Sequence, residues 1–292
     1  MAKKDKEKER KPFFRFSLPV MLIVLGLVGG GWWLWQHQFE WKDVIYDYVE
    51  NGEVLTLESK YTPEQIMERH KLALLGQDGR RSYQEPSYKY YPYLLLEVKY
   101  TEGQKSREGV LLWSLNDGEM VVNTETWETS HGFEDCLNCD ADRHDFKILQ
   151  ALARRQGSLS IDELQKELHA ERDLVEPWIE NAKAKHLIIQ KGNLVQLHFE
   201  NPKLLVTPQT RIKQQLVSKP ILNTQRVAKT YSRNQIIHLA KSAFGHDFKI
   251  RSEKEVFLPV YSLAIVNPDN SIHTSDWNAI TGQQILPKYL IN

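Results

Sequence analysis

The sequence predicts an α+β protein carried behind one transmembrane helix, and three observations predict it. A charge-free apolar run follows a basic N-terminus. Two stretches far apart in the chain each place a capped helix before aromatic, aliphatic strands. Between them lies a run of amphipathic helices ending in a hairpin signal. The 292 residues are 41% apolar and 26% charged, which is ordinary for globular chains and argues against wholesale disorder. The 38 Lys+Arg balance the 38 Asp+Glu, which excludes a generally basic polyanion binder, and two cysteines exclude a disulfide-rich scaffold.

Residues 1–15 hold Lys3, Lys4, Lys6, Lys8, Arg10, Lys11 and Arg15 against Asp5, Glu7 and Glu9, and read as a cytoplasmic basic tail. From Phe16 to Phe39 there is no Asp, Glu, Lys or Arg. Residues 16–36 are the expected membrane anchor, because about 20 apolar residues at 1.5 Å rise cover roughly 30 Å of hydrocarbon. Pro19 lies in the first turn, where a missing amide costs least, and Trp32, Trp33 and Trp35 sit where indoles favour the interface. A cleaved signal peptide ending near Gly29-x-Gly31 is the competing reading. Basic residues on one side of the span make the N-terminus cytoplasmic and the bulk of the chain extracytoplasmic, in the inner (plasma) membrane. Membrane lipid is then a partner through residues 16–36.

Residues 37–130 form the expected first half. Val54–Glu58 reads as a short strand. Thr62-Pro63-Glu64-Gln65 is a capping box with Pro at N1, and Ile66, Met67, His70, Leu74 and Leu75 give the following helix an apolar face. Tyr90–Tyr100 and Val110–Leu115 read as strands, and Asn116-Asp117-Gly118 as the turn into Glu119–Val122.

Residues 201–292, the second half, repeat this order, with Ser232 placed as a hydroxyl cap three residues before Gln235. Shifted by 170 positions, residues 61–75 and 231–245 share Tyr, Gln, Ile, Lys and Ala. Pro92 in its strand corresponds to Pro259, and Trp113 with Gly118 to Trp277 with Gly282. An internal duplication explains all of these together. Tyr261–Val266, the turn Asn267-Pro268-Asp269-Asn270, the strand to Trp277 and then Asn278-Ala279-Ile280-Thr281-Gly282 resemble the PepSY module. The first half carries Asn116-Asp117-Gly118 where the Thr-Gly stands in the second. The resemblance implies a helix packed on antiparallel strands, acting outside the cytoplasm in binding or regulation without catalytic residues.

Residues 131–200 separate the halves. Asp145 is a candidate cap for a helix from Phe146 to Gln156. Ser160-Ile161-Asp162-Glu163 opens a second, to about Leu168, and Asp173 caps a third, Leu174 to Lys185. Leu187–Gln190 and Leu194–Phe199 make a hairpin around Lys191-Gly192-Asn193. Three helices followed by a hairpin resemble a winged-helix domain, whose third helix often enters a DNA groove. The charges oppose that use: Glu171, Asp173, Glu176 and Glu180 crowd Arg172, Lys183 and Lys185, whereas DNA affinity is dominated by phosphate neutralisation. A winged-helix regulator would also need the reversed topology.

One constellation carries possible chemistry. His131, Cys136, Cys139 and His144 place a CxxC midway between two histidines, four N/S ligands suited to one structural zinc ion. A Cys136–Cys139 disulfide is the alternative in an oxidising compartment. Redox catalysis is opposed by Glu134, Asp135, Asp140 and Asp142, which disfavour a thiolate. There is no G-x-S-x-G, Walker loop or HExxH. Tyr83, Tyr88, Tyr90, Tyr91, Tyr93 and Tyr100 suggest an aromatic binding face or a strand buried on both sides. The function expected is a non-catalytic binding or assembly protein of a bacterial cell envelope, with another envelope protein as partner. A zinc- or thiol-dependent envelope protein is the rival.

Overall fold

The computed structural model describes residues 53–77, 79–199, 202–221 and 223–286. The basic tail and the expected anchor, 16–36, lie outside the described residues, among which no helix is long and apolar enough to cross a membrane. The described chain is mixed α+β. In order it forms β1 (Glu53–Leu57), α1 (Pro63–Arg69), α2 (Lys71–Leu75), β2 (Ser82–Tyr83), β3 (Ser87–Glu102), β4 (Lys105–Ser114), β5 (Met120–Asn123) and β6 (Glu128–Thr129). Then come α3 (Phe133–Asn138), α4 (Arg143–Arg154), β7 (Ser158–Ser160), α5 (Ile161–Leu168), α6 (Arg172–Ala184), β8 (Ile188–Lys191) and β9 (Leu194–Leu197). Last are β10 (Leu216–Pro220), α7 (Arg233–Phe244), β11 (Lys249–Val266), β12 (Ile272–Asn278) and β13 (Gln284–Ile285).

The expected capping boxes form at Thr62/Gln65, Ser160/Glu163 and Ser232/Gln235. Two caps differ from expectation. Asp142, not Asp145, starts α4, and Asp145 is the N3 partner reaching back to the Asp142 amide. The third helix of this region begins at Arg172 behind Glu171, which makes no side-chain cap.

Both halves share one sheet. β3 and β11 pair antiparallel from Tyr90↔Pro259 to Lys99↔Lys249, and β4 and β12 extend it on their far sides. The pairing is symmetric about Tyr91↔Leu258: Pro92↔Phe257 on one side has the counterpart Tyr90↔Pro259 on the other. The lone parallel pair Thr56↔Phe257 likewise has the counterpart Tyr90↔Arg226. Two prolines in central strands cost little here, because each sits one residue beyond its hairpin ladder. The Pro92 carbonyl accepts from Leu115 N, and Pro259 from Ala279 N, just past Tyr93↔Ser114 and Val260↔Asn278.

The helices are exchanged across this centre. α1 and α2 bury Ile66 and Leu74 against Tyr261, Leu263, Ile265 and Trp277 of the second half. α7 buries Ile236, Leu239 and Ala240 in the cluster of Leu94, Leu96, Leu111 and Trp113 of the first. The entry to each helix is fixed the same way: Lys60 N and Tyr61 N donate to Ala279 O, while Thr230 N and Tyr231 N donate to Leu115 O. The sequence suggested two halves on either side of an insert. Within the shared sheet, each half's hairpin is roofed by the helix of the other half, and removing either half would expose core side chains worth about 1.5–3 kcal/mol apiece.

The turn after each hairpin also repeats. Ser114 Oγ accepts from the Asn116 and Asp117 amides, and Asn278 Oδ1 accepts from those of Ile280 and Thr281. Asn116-Asp117-Gly118 therefore does the work of Ile280-Thr281-Gly282. Both glycines have positive φ, +73° at Gly118 and +67° at Gly282.

Residues 143–197 build α4, β7, α5, α6 and the β8–β9 hairpin, with strand order β7-β9-β8 in a separate three-stranded sheet. This region is not isolated: Phe146, Ile148, Leu149 and Leu152 of α4 belong to the same buried cluster as Trp113, Phe133 and α7. The returning chain then crosses the first half. His131 pairs with Lys203, Asn123 with Arg211, and β10 with β1. Thr210 Oγ1 accepts from Leu112 N at 2.9 Å and donates to Val121 O at 2.6 Å, stitching β4 to β5. This strap helps cover the second face of the sheet, where Leu57, Leu95, Leu112, Val256 and Leu258 are buried and Ile212 packs on them.

A Cβ at Gly118 would meet Leu137 Cδ1 at 2.6 Å and the Tyr231 ring at 3.1 Å, whereas one at Gly282 would meet the Tyr61 ring at 3.3 Å. Both Gly118→Ala and Gly282→Ala are expected to destabilise by about 1–3 kcal/mol, Gly118→Ala the more, in urea unfolding of the chain. Equal stability of Gly118→Ala and the parent would contradict the exchanged packing.

Candidate functional site

The Cys–His segment is dispersed by the fold. His131 is exposed and its backbone pairs with Lys203. Cys136 is buried within α3, and Cys139 is the half-buried C-cap residue, its Sγ 3.6 Å from Cys136 O. His144 stacks on Trp178 with ring centroids 4.5 Å apart. Among the described residues, no group of three or more His, Cys, Asp or Glu is arranged to hold a metal ion. Both thiols are free. Burial pushes the Cys136 thiol well up, and burial likewise takes Cys139 to about 11 even though Lys185 opposes it. Neither is poised as a nucleophile.

The carboxylates around this segment hold structure. Glu119, 7% exposed, accepts from Ser130 Oγ at 2.6 Å and from the Gly132 and Glu134 amides at 2.9 and 3.1 Å, tying β5 to the start of α3. Asp145, fully buried, receives Lys185 Nζ at 2.7 Å, and Lys185 also reaches Asp140 O. On α6 the cations are similarly engaged, Arg172 by Glu176 and Lys183 by Glu180, each at 2.6 Å. A cleft of about 410 Å³ between α5, α6 and the β8–β9 turn is lined by Arg172, Glu176 and Glu180 together with Ile161 and Ile179.

The place where the two halves differ is on the second face of the shared sheet. Where Leu112 of the first half and Val256 and Leu258 of β11 lie beneath the strap, the positions related by the symmetry are Asp276 of the second half and Lys89 and Tyr91 of β3. Lys89 Nζ lies 2.9 Å from both carboxylate oxygens of Asp276, and Tyr91 OH donates to Oδ2 at 3.1 Å. Burial, then the charge of Asp276, pushes the Tyr91 phenol up to about 12, so it serves as a donor and not as a base. Asn278, 2% exposed, keeps an Nδ2 without a hydrogen-bond partner. Beside this cluster, Ile272, His273 and Thr274 of β12 are exposed, and β13 pairs only with Asp276 and Trp277.

Of the aromatic residues singled out in the sequence, Tyr93 and Tyr100 are core, Tyr90 and Tyr91 half-buried, and Tyr88 exposed against the Tyr261 edge. Lys89 and Asp276 carry no motif, and only their offset from Val256 and Leu112 in the repeat could have marked them.

Two measurements test these assignments. In the reduced chain, iodoacetamide should label Cys139 at pH 8 about two orders of magnitude more slowly than free cysteine. Cys136 should be protected until unfolding, and fast labelling of both would refute the burial. Burial raises the Glu119 carboxyl above the usual carboxylate range. The folded state therefore holds that proton more tightly than the unfolded one. Its contribution to stability falls as pH rises from the ordinary value through the raised one. Glu119→Gln should remove that slope, gaining stability relative to the parent as pH rises to 7. Glu119→Ala, which strands a hydroxyl and two amides, should cost about 3 kcal/mol. Compared with family models, with curated proteins and with solved structures, the chain finds no match.

Proposed function

We propose that this chain is a membrane-anchored, extracytoplasmic binding or assembly protein of a bacterial cell envelope, acting through its folded surface and without catalysis. The observation that carries the reading is the unequal covering of two equivalent sheet faces: the strap closes one over an apolar cluster, whereas the other carries the partly exposed Lys89, Tyr91 and Asp276. Support for the location comes from residues 1–36, where seven cations precede a charge-free apolar run. The repeated capped helix, proline-bearing strand and glycine turn support two PepSY-like modules related by duplication. The helix order and the β7-β9-β8 sheet support a winged-helix-like insert between them. Its third helix pairs its own charges, which favours a spacer or protein contact over phosphate. Outside the cytoplasm, Cys136 and Cys139, three residues apart on one turn, are read as a disulfide in preference to a zinc site.

Topology is the first test. An alkaline phosphatase fused after Asn292 should be active and a fluorescent protein that folds only in cytosol should be dark. The opposite pattern would overturn the envelope assignment and favour a gene-regulatory one. Intact mass of the exported chain should show two hydrogens fewer than the dithiol.

A further inference from the structure

His186 and His198 meet at the corner where α6 passes into the β8–β9 hairpin, and both residues are exposed. Their backbones are pinned. His186 N donates to Lys183 O and Leu187 N to Ala182 O, closing the end of α6, and His186 takes the left-handed φ of +58° there. His198 N donates to Leu187 O, one step beyond the ladder pair Ile188↔Leu197. Leu187 and Ile188 are buried and root this corner in the core. The two imidazoles therefore project from fixed points, with ring centroids 6.4 Å apart and planes inclined by 51°.

His198 Nδ1 lies 2.6 Å from His186 O. A carbonyl oxygen only accepts, so Nδ1 carries the proton and Nε2 of the neutral ring keeps its lone pair. Metal-binding imidazoles are oriented in this way, one ring nitrogen donating to a backbone carbonyl and the other left for the ion. Here one residue, His186, supplies both the orienting carbonyl and the second ring. A metal about 2.0–2.1 Å from two imidazole nitrogens holds their ring centroids roughly 5–6 Å apart, depending on the angle at the metal. Rotation of either exposed ring covers the difference from 6.4 Å. The adjacent cation, Lys185, is countered by Asp145 and Asp142 at 2.7 and 3.7 Å.

We propose that His186 and His198 form a two-imidazole site for a divalent transition-metal ion, its remaining positions filled by water. Two nitrogen ligands disfavour Mg²⁺ and Ca²⁺, which take oxygen, and favour Cu²⁺ over Ni²⁺ and Zn²⁺. The site uses none of His131, Cys136, Cys139 and His144, and it stands independently of the surface role proposed above.

The test titrates the untagged full chain in detergent with CuSO₄ in a non-coordinating buffer, read by calorimetry and electron paramagnetic resonance. One Cu²⁺ should bind at about 1–10 μM, with hyperfine structure from two imidazole nitrogens. Zn²⁺ should bind at least about tenfold more weakly, and excess MgCl₂ should not compete. His198→Asn keeps an N–H donor for His186 O, and His186→Asn keeps a residue that accepts positive φ. Each should leave the thermal midpoint of the metal-free chain unchanged and weaken Cu²⁺ binding at least about tenfold. His246→Asn, at a separate exposed histidine, should bind as the parent does. Equal binding by the parent and both variants, weakening by only one of them, or a single-nitrogen spectrum would overturn the proposal. Should a variant fail to fold, substoichiometric Cu²⁺ added to the parent should broaden the ring-proton resonances of His186 and His198 first. Broadening centred on other histidines would refute the site.

Discussion

The β3–β11 pairing is the constraint on which the rest of the structure depends. It joins two halves that could not stand apart, because each supplies the helix that roofs the other's hairpin. A strand pair alone is marginal in water, and a helix of seven or twelve residues is marginal in isolation. Exchange couples them: α1 cannot dock until β11–β12 forms, and α7 cannot dock until β3–β4 does. Folding therefore depends on contacts far apart in the chain, and partial unfolding of one half uncovers the core of the other.

Symmetry at the centre then makes the departures from it informative. The turn anchors, proline positions and helix entries are matched bond for bond, so they reflect what the shared architecture requires. What is not matched is the strap, which sits on one half, and the chemistry beneath it. Leu112, Val256 and Leu258 are apolar because residues 203–215 exclude water there. Asp276, Lys89 and Tyr91 at the equivalent place are polar, bond one another and are only partly buried. A buried ion pair would be costly unless fully satisfied, whereas a partly exposed one such as Lys89–Asp276 is tolerated.

Much of this was legible in the sequence where local rules dominate. The capping boxes at Thr62, Ser160 and Ser232 and the turn at Asn116-Asp117-Gly118 follow from side chains that satisfy nearby amides. The α4 cap was misplaced by three residues because Asp142 and Asp145 both belong to the box, and sequence does not say which is outside the helix. The exchange of helices was not legible, since a capped helix before a hairpin reads the same whether it packs on its own hairpin or another. The strap was invisible for a related reason: residues 203–215 have no periodicity, and their order comes from bonds such as those of Thr210 to strands far away in sequence. The Cys–His segment drew attention by its spacing, but spacing along a chain does not determine distance once one cysteine is committed to a core helix.

The buried polar groups follow one logic. Glu119 joins β5 to α3, and Asp145 with Lys185 ties α4 to the end of α6. Both carboxylates sit where a chain segment changes direction between the sheet and the helical insert. Each satisfies several donors that would otherwise be orphaned at a helix start, which is why a charge is tolerated there despite its desolvation. The insert is therefore welded to the first half by specific bonds as well as by the shared core of Phe133, Phe146 and Trp113.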